Sequence, residues 1–280
     1  QTAIAVCGTT TFRQNAVNNC QNTPVNPPPC PDGLLTERSF WYKFHCYAPG
    51  TLGLGFLITP DLASDDFDWA LFDVTGHPNL NDIYSDPTMH VSSNISGDLG
   101  VTGCTPAGIG NVNCPADPRY NRLATLQTGH DYMLMVTNWT PQPNPLGYTL
   151  NFTGGDAVIT DPTVPVISTV ATVGCNSSLL RVTFSKDIVC GSVTATGSEF
   201  SITPGTPAIT GVVAQCPTAI STITELTIQL QNPLAAGNYN LLVNAGSDAN
   251  TFTDVCGNNM ATGFSIPFTV AAFHRHRSLR

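Results

Sequence analysis

LGLGFLITPDLASDDFDWALFDV, residues Leu52–Val74, decides the fold. Its first part, Leu52 to Thr59, is apolar and stops at Pro60, the pattern of a strand followed by a breaker. The second part, Asp66 to Asp73, alternates for most of its length. Phe67, Trp69 and Leu71 fall on one face of a strand, and Asp66, Asp68 and Ala70 fall on the other. Pro60–Asp65 supplies the turn, so the stretch reads as a hairpin with a buried aromatic face and a solvated acidic one. Phe72 interrupts the alternation and reads as a partly exposed aromatic. Such a pair of strands belongs to a β-sandwich.

The rest of the chain agrees with that class. Hydrophobic residues make up 41% of the 280, enough for ordinary cores, and the length suits two domains. Charged residues are 10%, against about 25% in a typical soluble protein. With 24 Gly and 22 Pro, turns are frequent and long helices are disfavoured. The fold class is therefore all-β. The net charge of −9, with Lys43 and Lys186 the only lysines, argues against nucleic-acid binding. No apolar run approaches the ~18 residues of a membrane span.

Residues 1–38 look irregular, because Val25–Pro31 is too rich in proline for a central strand. Ser39–Tyr47 is aromatic and strand-like. Residues 79–122 form a long excursion, which in a compact domain calls for a staple or a function. Strands return at Asp131–Val136 and Gly147–Phe152, and a linker begins at Gly154. The second half offers short strands at Val166–Val173, Leu179–Phe184, Glu199–Ile202, Thr222–Leu230, Gly237–Val243 and Phe264–Val270. Their spacing suggests an immunoglobulin-like sandwich. The expected division is a first sandwich over 1–155, a second over 156–273 and a basic tail over 274–280.

The motifs FWYKF (Phe40–Phe44), DFDWALFD (Asp66–Asp73), LQTGHDYMLMV (Leu126–Val136) and GYTLNF (Gly147–Phe152) resemble the bacterial pre-peptidase C-terminal (PPC-like) sandwich. More closely, they resemble its form in Bacteroidota surface proteins associated with gliding motility and type IX secretion. LLRVTFSKDIVC (Leu179–Cys190), NPLAAGNYNLLV (Asn232–Val243) and GSDANTFTDVCGNNM (Gly246–Met260) resemble a bacterial Ig-like domain often found beside it. The resemblance covers most of 39–270. It implies two tandem sandwiches in a secreted or cell-surface setting, with no catalytic signature.

Ten cysteines fall six and four across the boundary, an even count in each half that fits disulfides made in an oxidising compartment. The expected pairs are Cys104–Cys114 as a local staple, and Cys175–Cys216 with Cys190–Cys256 in the second domain. Cys7, Cys20, Cys30 and Cys46 are expected to pair among themselves.

Asp61, Asp65, Asp66 and Asp68 offer hard oxygen ligands and form a candidate Ca²⁺ site, although the order is not that of an EF-hand. Turn chemistry and a solvated strand face account for the same residues. Asp248 and Asp254, on a Gly/Asn-rich loop, are a second calcium candidate with the same rival. His45, His77, His90 and His130 belong to no catalytic motif, and the chain is read as non-enzymatic. Trp139, at a strand end in Asn138-Trp139-Thr140, is the candidate platform for stacking on a sugar ring, against the plainer reading of a loop Trp folded onto its own domain. Asn94, Asn138, Asn151 and Asn176 head N-x-Ser/Thr triplets, chance matches outside a glycosylating host.

The functional expectation is a non-catalytic structural or adhesive protein of the bacterial surface, a subunit of an appendage or filament. The alternative is the polysaccharide-binding accessory region of a secreted hydrolase. Partners are expected to be further copies or neighbouring surface domains, docked through strand edges. The strand-like segment Gln1–Val6 is the candidate for addition to a neighbour's edge.

Overall fold

The computed structural model describes residues 3–16, 23–25, 30, 33–34, 36–140, 146–174 and 176–272. The chain divides into two compact units, Gln1–Pro162 and Thr163–Arg280. The first contains β1 (Ile4–Ala5), β2 (Thr11–Ala16), β3 (Ser39–His45), β4 (Phe56–Pro60), β5 (Phe67–Asp73), β6 (His90–Asn94), β7 (Thr102–Cys104), β8 (Val112–Asn113), β9 (Tyr120–Asn121), β10 (Asp131–Asn138) and β11 (Leu146–Asn151). They form a six-stranded sheet, β1-β3-β10-β5-β6-β8, and a five-stranded one, β2-β11-β4-β7-β9.

The deciding stretch is thus an arch rather than a hairpin. β4 pairs with β11 and β7, while β5 pairs with β10 and β6. The turn carries the chain from one sheet to the other, so the apolar faces of the two strands meet across the core. Phe56 packs edge-on against Trp69 with ring centroids 4.8 Å apart. Trp69 is fully buried and its indole N–H donates to Thr102 Oγ1 at 3.2 Å. Phe67, Trp69 and Leu71 share this core with Tyr42, Leu134 and Tyr148. Each large apolar side chain buried here contributes about 1.5–3 kcal/mol.

The other face of β5 is also covered. Ala70 and Phe72 pack with Trp41, Met133 and Met135 from the same sheet, and Val25, Leu34, Ile83, Met89 and Ile95 close over them as a second core. Phe72 is buried rather than partly exposed, with its ring stacked on Trp41 at 6.1 Å. Asp66 and Asp68 lose the solvent that the alternation had assigned to them. The cover comes from the two segments that looked irregular, the proline-rich N-terminal one and the 79–122 excursion.

A disulfide joins these segments. Cys114 bonds to Cys30, 84 residues away. The expected Cys104–Cys114 staple does not form, because β7 ends in the five-stranded sheet and β8 leads out of the six-stranded one. Cys104 is a buried free thiol, and so is Cys46, which leaves the expected group of Cys7, Cys20, Cys30 and Cys46 broken up. Cys7 is disulfide-bonded, while Cys20 lies outside the described residues.

Side-chain amides organise the excursion itself. The Asn121 amide donates to the carbonyls of Ser93 (2.8 Å) and Asn111 (2.7 Å), and that of Asn94 donates to Asn121 Oδ1 (2.7 Å). Buried amides that satisfy backbone carbonyls let β6, β8 and β9 lie together with few ladder bonds of their own.

At the N-terminus, Ile4 and Ala5 pair with Tyr42 and Lys43 of the same unit, and the Val6 amide donates to Lys43 O at 2.8 Å. The segment expected to reach a neighbour is an internal strand. At the other end the unit runs past Gly154. Asp156 accepts from the amides of Thr51, Leu52 and Gly53, Val158 bridges Ala48, and Ile159 is in the core.

In the second unit β12 (Ile167–Thr172), β13 (Leu179–Val189), β14 (Phe200–Thr203), β15 (Ile209–Val213), β16 (Thr222–Leu230), β17 (Gly237–Val243) and β18 (Ser265–Val270) form sheets β12-β13-β16-β15 and β14-β17-β18. Phe252 lies at the centre, 5.1 Å from Phe184 and 5.0 Å from Phe200 between ring centroids. β15 escaped the sequence reading because Gly211 and a bulge between Ile209 and Gly211 interrupt its alternation. The expected Cys175–Cys216 and Cys190–Cys256 pairs give way to Cys190–Cys216. Backbone bonds from Cys190 to Ser221 and from Gly191 to Ala219 lay the β15–β16 loop against the turn after β13, which carries Cys216 to Cys190. Cys256 is disulfide-bonded too, and Cys175 lies outside the described residues. No helix among the described residues is long and apolar enough to cross a membrane.

Candidate functional site

The start of β5 and the end of β10 meet at one point. The Trp139 amide donates to the Asp66 carbonyl at 2.9 Å, and the Asp66 amide donates to Thr140 Oγ1 at 2.6 Å. Arg38 Nη1 donates to the Thr140 carbonyl at 2.8 Å and steadies the turn. Asp66 and Asp68 are two residues apart along an extended chain, so their side chains leave on the same side about 7 Å apart at the backbone. They face a cavity of about 360 Å³ lined by Gly33, Asp66, Asp68, Ile95, Gly97, Pro115 and Trp139. In the sequence, Asp66 and Asp68 belong to one candidate site and Trp139 to another. The structure brings all three into a single cavity.

The electrostatics of this cavity are unusual. Asp66 is 7% exposed and Asp68 4%, and Oδ1 of each is buried without a hydrogen-bond partner. No ion pair among the described residues involves either carboxylate. Burial pushes Asp66 up to about 6, with the nearby charge of Asp98 adding to the rise. Burial also holds Asp68 well above the usual carboxylate range, with Asp66 as the second cause. Removing a carboxylate from water without a partner costs several kcal/mol, and such a group responds by holding its proton. Trp139, by contrast, is 43% exposed. The cavity therefore offers an indole and a pair of acids that gain from any donor or positive charge placed beside them.

The four-acid site of the sequence reading does not assemble. Asp61 is paired with Arg13 at 2.8 Å and accepts from the Gly147 amide at 3.2 Å. Among the described residues, no three of Asp61, Asp65, Asp66 and Asp68 bring oxygens within reach of one ion. Asp254 is fully engaged: its carboxylate accepts from Lys186 Nζ at 2.8 Å and from the amides of Cys256 (2.9 Å) and Asn258 (2.8 Å). Asp248 accepts from the Asn250 amide two residues on, a turn role.

The histidines lie elsewhere. His130 meets Asp73 at 2.7 Å, His45 meets Asp131 at 3.1 Å, and His90 is desolvated beside Phe72 and pushed down to about 4. Among the described residues none of them, nor His77, hydrogen-bonds a Ser, Thr or Cys side chain. Asn94 and Asn138 are buried. Gly33, Ile95, Gly97 and Pro115 carried no signal in the sequence as lining residues, since they come from segments 33, 95–97 and 115 that only the fold brings together. The clue was Cys30 and Cys114, which flank two of them.

No family model matches the chain. No curated protein matches it either. Among solved structures, a β-1,2-glucanase from Parabacteroides distasonis is similar with a TM-score of 0.20 and 10% identity, over 94% of this chain and 36% of that one. The chain thus spans little more than a third of that protein, and at that TM-score the likeness defines neither fold nor activity.

Proposed function

We propose that this chain is a non-catalytic extracellular binding module that attaches to polysaccharide, an adhesive role at a cell surface or beside a secreted hydrolase. One observation carries the reading. Trp139 and the pair Asp66 and Asp68 line one cavity of about 360 Å³, within the size range of small-molecule sites. An exposed indole takes the flat C–H face of a pyranose, and carboxylates accept from its hydroxyls. The disulfides within each unit favour an oxidising compartment. Two sandwiches closed by such bonds suit a module displayed outside the cell.

Affinity electrophoresis against a panel of neutral, acidic and basic polysaccharides tests it. Wild type is expected to be retarded by at least one of them, and Trp139→Ala to lose about tenfold or more in affinity, as for a truncated aromatic hot spot. Trp139 is half exposed, so the variant is expected to keep the parent's melting temperature. Retardation unchanged by Trp139→Ala, or shortening of the polysaccharide during the run, overturns the reading.

A further inference from the structure

We propose that the cavity selects an amino sugar: the ammonium of a deacetylated hexosamine sits against Asp66 and Asp68 while its ring rests on Trp139. This rests on the polysaccharide-binding reading and adds the chemical class of the ligand. Two separate observations point to it. Asp66 and Asp68 are each more than nine-tenths buried, line the cavity, and hold Oδ1 atoms with no hydrogen-bond partner. Independently, the same cavity is walled by Trp139, a residue left 43% exposed.

A neutral sugar satisfies only part of this. Its hydroxyls donate to the acids but bring no charge to offset the ionised form, so burial keeps a proton on the pair. An ammonium donates and neutralises together, and such charge-assisted bonds are roughly twice as strong as neutral ones. Among the described residues no lysine or arginine lines the cavity, and Asp98 adds to its negative field. The indole attracts a cation through its ring quadrupole as well as stacking on a sugar.

A bare divalent cation fits less well. Calcium takes six to eight oxygen ligands, whereas the described lining offers two carboxylates beside Ile95, Pro115 and Trp139. The volume of about 360 Å³ is that of a ring-sized guest and far exceeds an ion. A protein lysine side chain presents the same ammonium but has no flat ring for the indole.

The test is titration calorimetry of the full chain at neutral pH with three tetrasaccharides: β-1,4-linked glucosamine, its fully N-acetylated form, and cellotetraose. Nα-acetyl-lysine methylamide serves as the peptide-amine probe. Glucosamine oligomer binding about tenfold or more tighter than both neutral oligomers is expected, with Asp68→Asn abolishing the preference. The comparison among ligands uses wild type alone, so it stands if a variant misfolds. Equal binding of all three sugars overturns the amine selectivity and leaves polysaccharide binding standing. No binding of any sugar overturns both. Lysine methylamide binding as tightly as the glucosamine oligomer overturns the sugar as the guest.

Discussion

The Trp139 amide donates to the Asp66 carbonyl at 2.9 Å, and this bond fixes which side chains share the cavity. It extends the β5–β10 ladder by one step beyond the pairing of Asn138 with Phe67. Alternation then sends the indole to the same side as the two carboxylates rather than into the sandwich. An aromatic at a strand end and acids at the start of another strand become a site through register alone.

Asp66 is expected to make the unliganded protein less stable at neutral pH. A carboxyl whose folded-state pKa lies above its unfolded value subtracts stability above the folded value, and the loss disappears as pH falls towards the unfolded one. For Asp66 that window runs from about 6 down to the ordinary 3.8. His90 works against it, since a pKa lowered from 6.5 to about 4 withdraws stability as pH falls through the same range. The wild-type curve mixes these contributions with that of Asp68, which is also raised, so the difference from Asp66→Asn is the measurement. Asp66→Asn is expected to be more stable by about 2 kcal/mol at pH 7, after a discount for screening, and the gap to close by about pH 4. Denaturant titrations at several pH values show this; a variant no more stable than wild type at pH 7 contradicts it.

Removing Cys30–Cys114 should loosen the cavity as well as the fold. The bond closes a separation of 84 residues, and loop entropy gives it about 4–5 kcal/mol, against about 3–4 kcal/mol for the 26 of Cys190–Cys216. It also ties the segment bearing Gly33 to the one bearing Pro115, both in the cavity wall. Cys30→Ser with Cys114→Ser is expected to lower the melting temperature and abolish retardation by polysaccharide. Cys190→Ser with Cys216→Ser should lower the melting temperature alone. Equal effects of the two double variants on binding would show that the bridge does not shape the site.

Phe72 tests the second core. An exposed aromatic costs within about 0.5 kcal/mol when truncated, whereas a buried one costs about 3–5 kcal/mol. Phe72 stacks on Trp41 and is buried, so Phe72→Ala should fall in the larger class by chemical denaturation. A small effect would place solvent on that face.

The fate of Phe72 also shows what was legible in the sequence. Alternation is a local signal, and it assigned Phe67, Trp69 and Leu71 to the core; Thr222–Leu230 and Gly237–Val243 emerged with their bounds intact for the same reason. What covers the opposite face is not local. Val25, Leu34 and Met89 come from segments whose prolines and glycines hide any period, and they lie far from β5 in the chain. The arch at Pro60–Asp65 resembles a hairpin in sequence because a turn between two strands looks alike whether they pair or face each other across a core. Cysteine pairing failed for a related reason. Nearness in sequence favoured Cys104 with Cys114, but which sheet each strand joins decides whether the sulfurs meet. Asp66, Asp68 and Trp139 were each visible as candidates; that they belong together is a matter of register.

The N-terminal strand supplies the last prediction. β1 is two residues long and covers one edge of the six-stranded sheet, at Tyr42 and Lys43, with the Val6 amide bonded to Lys43 O and the Val6 side chain in the core. An uncovered edge presents free N–H and C=O groups to other chains, and Lys43 is the sole lysine in this unit to guard it. Deleting residues 1–6 removes the Val6 packing and the β1 pairing together. The truncated chain is expected to melt at a lower temperature and to gain mass by light scattering as its concentration rises, whereas the full chain keeps its mass over the same range. A deletion that lowers the melting temperature without association would mean that Lys43 suffices as a guard. A deletion that changes neither would mean that β1 contributes nothing to the sheet it joins.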